Sequence, residues 1–173
     1  MKRSVIVIIA VIALGACGGS SPAGPSAVAQ VSGAWSVSTT VSTVTGGECF
    51  ASDFQGLVGT RATGTIQIQQ SGAELTATAT DTASGSACTY SGTASTGSVA
   101  LNILSCTGAE VLGATCPNGA GPRNIRLQTG GVNVTASGGT MTGTSFETLA
   151  VTTTAGTTVG TATLDFAFSA TKR

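Results

Sequence analysis

From Val31 onward, apolar side chains recur at every second position, and no stretch keeps the 3.6-residue spacing of a helix. Trp35, Val37 and Val41 share one face of 31–44, Ile66 and Ile68 one face of 62–70, and Leu75, Ala77 and Ala79 one face of 73–80. Cys88, Tyr90 and Gly92 line up in 87–95, and Val99, Leu101 and Ile103 in 98–105. Ile125 and Leu127 mark 123–129, and Val132 and Val134 mark 132–137. A final pair covers 140–152 and 159–171, the last strand showing Leu164, Phe166 and Phe168. The opposite faces are mostly Thr, Ser and Gln. Strands with one apolar and one polar face belong to antiparallel sheets that bury one side and wet the other. The pattern predicts nine strand segments in an all-β domain.

Ser71-Gly72, Thr96-Gly97, Gly130-Gly131 and Gly138-Gly139 are two-residue hairpin signals. With Ser71-Gly72 as the turn, Ile68 faces Leu75 and Ile66 faces Ala77. IQIQQSGAELTAT (66–78) also aligns without gaps to IRLQTGGVNVTAS (125–137), which sets Gly72 on Gly131. Both features indicate an up-and-down meander. In a meander the connections alternate between two ends. The long ones, 45–61, 81–86 and 106–122, then share one end and the tight turns share the other.

A meander with one apolar face must close on itself or fold into a sandwich, because open edges invite pairing with other chains. A closed antiparallel barrel of about 8–10 strands is expected, with a β-sandwich as the alternative. An up-and-down barrel needs an even strand number, so nine segments leave one to be explained. Gly33-Ala34-Trp35 opens the first strand and Lys172-Arg173 ends the last. This pairing resembles the signature of lipocalin-like barrels (calycins), where an early G-x-W tryptophan packs under a basic residue from the final strand. The resemblance implies that Trp35 plugs one barrel end with Lys172 or Arg173 above it, held by cation–π attraction. It also implies a small apolar or amphipathic ligand inside the barrel, against Tyr90, Glu147, Phe166 and Phe168. Glu147 follows Met141, Gly143 and Ser145 on the inward face, though a bulge that turns it to solvent is the plainer reading. Many inward positions are Gly, Ala or Ser. They leave either a cavity of the size usual for ligand sites, about 300 Å³ or more, or a narrow filled barrel.

The N-terminus concerns location. Lys2-Arg3, an apolar run from Val5 to Leu14, and Leu14-Gly15-Ala16-Cys17 form a secretory signal that resembles the lipobox of bacterial lipoproteins. The apolar run is too short to span a membrane, which takes about 20 residues. The resemblance implies a signal peptide over 1–16 and a lipidated Cys17 that anchors the chain in the bacterial cell envelope. Gly18, where an inner-membrane retention signal would place Asp, points to the outer membrane. Residues 17–30, rich in Gly, Ser and Pro, read as a tether, and 31–173 as the barrel domain.

Charge and composition narrow the chemistry. Seven basic and seven acidic residues give a net charge of zero, so there is no footprint for nucleic acid. With no histidine, the commonest general base and metal ligand are missing. No cofactor, metal or catalytic set is expected, and the chain reads as a non-enzymatic protein. Glu48 and Asp53 share a loop, and Arg123 and Arg126 could meet an anion at the barrel mouth, but solvation is the plainer reading of both. Besides Cys17, the exported chain carries Cys49, Cys88, Cys106 and Cys116, an even count that implies two disulfides. All four fall at the long-loop end. Cys106–Cys116 with Cys49–Cys88 is the preferred pairing, and Cys88–Cys106 across its hairpin the rival. Loops pinned this way support a second function, a protein-interaction or protease-inhibitor-like module.

Overall fold

The structure, a computed structural model, describes residues 27–173. The signal segment, Cys17 and most of the tether lie outside the described residues. β1 (Gly33–Gly46) leads through a 3-10 turn (Glu48–Phe50) into the short helix α1 (Ala51–Gln55). β2 (Arg61–Ser71), β3 (Glu74–Asp81), β4 (Ala87–Ala94) and β5 (Ser98–Thr107) follow. β6 (Glu110–Thr115), β7 (Pro122–Ser137), β8 (Thr140–Thr153) and β9 (Thr158–Lys172) complete the chain. The strands run β5-β4-β3-β2-β1-β9-β8-β7-β6, and β5 also pairs with β7. That last pairing closes an eight-stranded antiparallel up-and-down barrel, with β6 outside the ring. The architecture is consistent with the lipocalin-like expectation, and the sandwich alternative does not hold.

The odd segment count resolves in β7. Segments 123–129 and 132–137 are one strand, and the expected Gly130-Gly131 turn lies inside it, opposite Glu147 and Phe146 of β8. Neither glycine has a positive φ, whereas Gly72 turns the β2–β3 hairpin at φ 60°. Gly130 and Gly131 serve close approach instead. A Cβ on Gly130 would lie 2.6 Å from Ile103 Cδ1 and 2.8 Å from the Phe146 carbonyl oxygen, and one on Gly131 2.9 Å from the Leu101 carbonyl oxygen. The glycines let β5 come in and close the ring. The resemblance between 66–78 and 125–137 therefore sets a turn against a strand. Within 106–122, expected as loop, β6 pairs with the first part of β7.

The β2–β3 register also differs from expectation. Ser71 pairs with Glu74, Ile68 with Ala77 and Ile66 with Ala79, so the loop is Gly72-Ala73. The displacement is two residues, which leaves every side chain on its expected face.

Two cores fill the barrel at different heights. At the tight-turn end, Trp35, Ile66, Ile68, Leu75, Val99, Leu101, Val134 and Met141 pack together. Residues 28–31 lie across this end. Val31 is 1% exposed, its N–H donates to Gln70 Oε1 at 2.8 Å, and its carbonyl accepts the Trp35 indole N–H at 2.8 Å. Lys172 Nζ sits 5.7 Å from the Trp35 ring centre. Arg173 is not the stacked cation; its Nε donates to Ser36 Oγ at 2.8 Å. At the other end β1, β7, β8 and β9, 14 to 16 residues long, outrun β2–β5, at 8 to 11. Phe50 and Phe54, from the 3-10 turn and α1, cover the overhang by packing on Val41, Val44, Val151, Ala162 and Leu164.

Candidate functional site: the barrel mouth

The Trp35 core seals one end, and the second core covers only the long-stranded half of the other. Between them the interior opens toward the long loops as a cavity of about 160 Å³. Val37, Ile66, Tyr90, Ile103, Val132 and Phe168 form its apolar wall, Glu147 projects into it, and Thr63, Thr80, Asp81 and Ser86 stand at its rim. The volume is about half the lower bound expected from the sequence for a ligand site.

Each wall residue is placed by strand register. Tyr90 on β4 opposes Ala77 of β3 and Ile103 of β5, with an irregularity between Thr89 and Tyr90. Glu147 on β8 opposes Gly130 and Leu164. No bulge turns it outward; the one in this region falls in β7, between Leu127 and Thr129. Phe168 lines the cavity, but Phe166, two residues earlier on the same face, packs into the second core. Phe166 is therefore no part of this site.

Electrostatics single out Glu147. Burial pushes its pKa above the ordinary carboxylate range, and no hydrogen bond or cation offsets that shift. The phenol of Tyr90 is pushed up to about 12, chiefly by burial and secondarily by the charge of Glu147. Asp81 at the rim behaves oppositely. Its carboxylate accepts the backbone N–H groups of Ala83 (3.0 Å) and Ser84 (2.7 Å) and the Ser84 hydroxyl (2.8 Å), which hold its pKa down. The cavity is thus lined by carboxylates and by no basic side chain.

The expected cysteine pairing is corrected. Cys49 bonds Cys116 and Cys88 bonds Cys106. Cys88 and Cys106 stand directly opposite in the β4–β5 ladder, which makes the hairpin rival the observed bridge. β6 then carries Cys116 along β7 into the second core, where Cys49 lies. Glu48, Cys49 and Cys116 cluster within 4.8 Å, but both sulfurs are spent in the disulfide. Arg123 and Arg126, weighed as anion contacts against plain solvation, pair with acids of the chain: Arg123 with Glu48 at 3.6 Å and Arg126 with Glu110 at 3.3 Å. A second, smaller cleft of about 100 Å³ lies where β5 and β7 part, lined by Ile103, Leu104, Ala109 and Leu127 among others.

Chemically, the mouth offers an apolar slot with one half-buried carboxyl and one phenol. Ile103, Val37 and Val132 complete the wall; their inward phase was visible in the alternation, but nothing in it separated wall from core. No family model matches this chain, and no curated protein or solved structure is significantly similar to it.

Proposed function

We propose that this chain is a non-enzymatic lipoprotein of the bacterial envelope, lipocalin-like in form, that takes a small apolar or amphipathic molecule into the mouth of its barrel. The observation that carries this reading is the cavity, sealed below by the Trp35 core and walled by apolar side chains around Glu147 and Tyr90. Its 160 Å³ compares with the cavity of about 150 Å³ that holds benzene in another protein. The occupant is accordingly a single ring or a short branched chain, and a long acyl chain is too large.

Leu14-Gly15-Ala16-Cys17 supports anchoring through lipid on Cys17, and Gly18 supports the outer membrane. Two disulfides are compatible with a place outside the cytoplasm. Residues 28–31 pack at the sealed end, which supports a mouth facing away from the membrane to which Cys17 would be anchored. The lack of histidine and of any assembled nucleophile and base among the described residues supports a binding role.

Calorimetric titration with benzyl alcohol, a single-ring probe, tests the reading. The wild-type chain binds one equivalent, and Ala79→Leu, which extends a wall residue into the cavity, abolishes binding while the fold persists. Binding that survives Ala79→Leu unchanged contradicts the reading.

A second reading, a protein-interaction or inhibitor-like module, is favoured by one observation. Leu57 and Val58, directly after α1, are 38% and 47% exposed on a loop that Cys49–Cys116 pins. An empty titration with the wild-type chain makes this loop the working surface.

A further inference from the structure

Glu147 is a half-buried carboxyl on the cavity wall with no hydrogen-bond or ion partner among the described residues. A carboxylate partly withdrawn from water is stabilised by a cation or by hydrogen-bond donors. The chain's own described cations are all committed elsewhere. Arg123 and Arg126 pair with Glu48 and Glu110, Lys172 sits over Trp35 at the opposite end, and Arg61 and Arg173 donate to Ser38 and Ser36 on the outer surface. The other charge on the cavity lining is Asp81, also negative. The remaining charged groups on the strands flanking β8 face solvent: Arg126 on β7 and Asp165 on β9, which accepts the Thr43 hydroxyl at 2.7 Å.

Resting on the ligand-binding reading above, we infer that the molecule this barrel takes is a small organic ammonium ion, with its charged nitrogen on Glu147 and its apolar body against Ile66, Ile103 and Phe168. The negative lining attracts a cation and repels an anion, so carboxylate ligands such as fatty acids are disfavoured by charge as well as by size. The Tyr90 hydroxyl stays protonated at neutral pH and has a lone pair free for an N–H donor. An ammonium bound here supplies the counter-charge that the fold withholds from Glu147.

The test compares three probes of matched body, namely benzylammonium, benzyl alcohol and benzoate. Each is titrated into the full, oxidised chain at neutral pH. Benzylammonium is expected to bind at least about tenfold more tightly than benzyl alcohol, the advantage of a charge-assisted hydrogen bond, and benzoate not measurably. Glu147→Gln is expected to bring the ammonium down to the level of the alcohol and leave the alcohol unchanged. Tyr90→Phe, which keeps the carboxyl, retains the preference. If the alcohol binds as well as the ammonium, or if the preference survives in Glu147→Gln, the ammonium inference is overturned while ligand binding stands. If none of the three binds, both fall together.

Discussion

Removing the two disulfides separately should cost different amounts of stability, and the order follows from the topology. Cys49–Cys116 closes 67 residues of chain and Cys88–Cys106 closes 18. Chain-entropy reasoning gives about 4 kcal/mol for the longer loop and about 3 kcal/mol for the shorter at 25 °C. The longer loop encloses the shorter, so with Cys88–Cys106 intact its effective length is about 50 residues, which lowers its contribution by only about 0.3 kcal/mol. The native side strengthens the same order. Cys88 and Cys106 join strands that their own ladder already holds, whereas Cys49–Cys116 ties the 3-10 turn to the end of β6. Cys116 is 2% exposed, and the bridge holds the turn whose Phe50 packs into the second core. The assay is equilibrium urea unfolding of Cys49→Ala/Cys116→Ala and of Cys88→Ala/Cys106→Ala, followed by the fluorescence of Trp35, the chain's single tryptophan. The first pair should lose about 4 kcal/mol and the second about 3 kcal/mol. A larger loss for Cys88→Ala/Cys106→Ala, or a loss below about 1 kcal/mol for the other pair, refutes the reasoning.

Three further outcomes follow from other parts of the molecule. The folded-state pKa of Glu147 lies above its unfolded value, so its contribution favours folding in acid and is lost as pH rises from the ordinary carboxylate range to the raised value. Each pH unit inside that window removes at most about 1.4 kcal/mol; Glu147→Gln should flatten the slope and be more stable than wild type at neutral pH, and urea midpoints that track wild type at every pH contradict this. At the sealed end, Trp35→Ala should cost about 3–5 kcal/mol and Lys172→Ala about 0.5–1 kcal/mol, because the ring is buried core and the cation an exposed lid; thermal unfolding of both variants checks the ratio. Cys17→Ala should abolish incorporation of labelled palmitate and release the chain from membranes, and a labelled, membrane-bound Cys17→Ala chain defeats the anchoring proposal.

Much of the fold was legible because period-two alternation states which face of a strand is buried. It does not state the height of a residue along the barrel. Leu164, Phe166 and Phe168 share a face, yet only Phe168 reaches the cavity; the other two serve the overhang that Phe50 and Phe54 cover. The inward phase of Glu147 was visible for the same reason, but that no bulge in β8 turns it to solvent is shown only by the ladder, whose irregularity falls in β7. Gly130-Gly131 misled because glycine in a strand that must admit a close neighbour looks like glycine in a turn. Only the contact with Ile103 and the backbone of β8 distinguishes them. The cysteine pairing was hidden by β6, a strand of 6 residues whose alternation is too short to announce itself and whose path moves Cys116 away from Cys106.

The account turns on whether a small molecule enters the barrel mouth. Isotope-filtered NMR on the methyl-labelled, oxidised chain with benzyl alcohol reads this directly. Saturable intermolecular contacts are expected from the probe's ring to the methyls of Val37, Ile66, Ile103 and Val132, and to the ring of Tyr90, the chain's one tyrosine. Contacts confined to Leu57 and Val58, or no contacts at saturating benzyl alcohol, would contradict it.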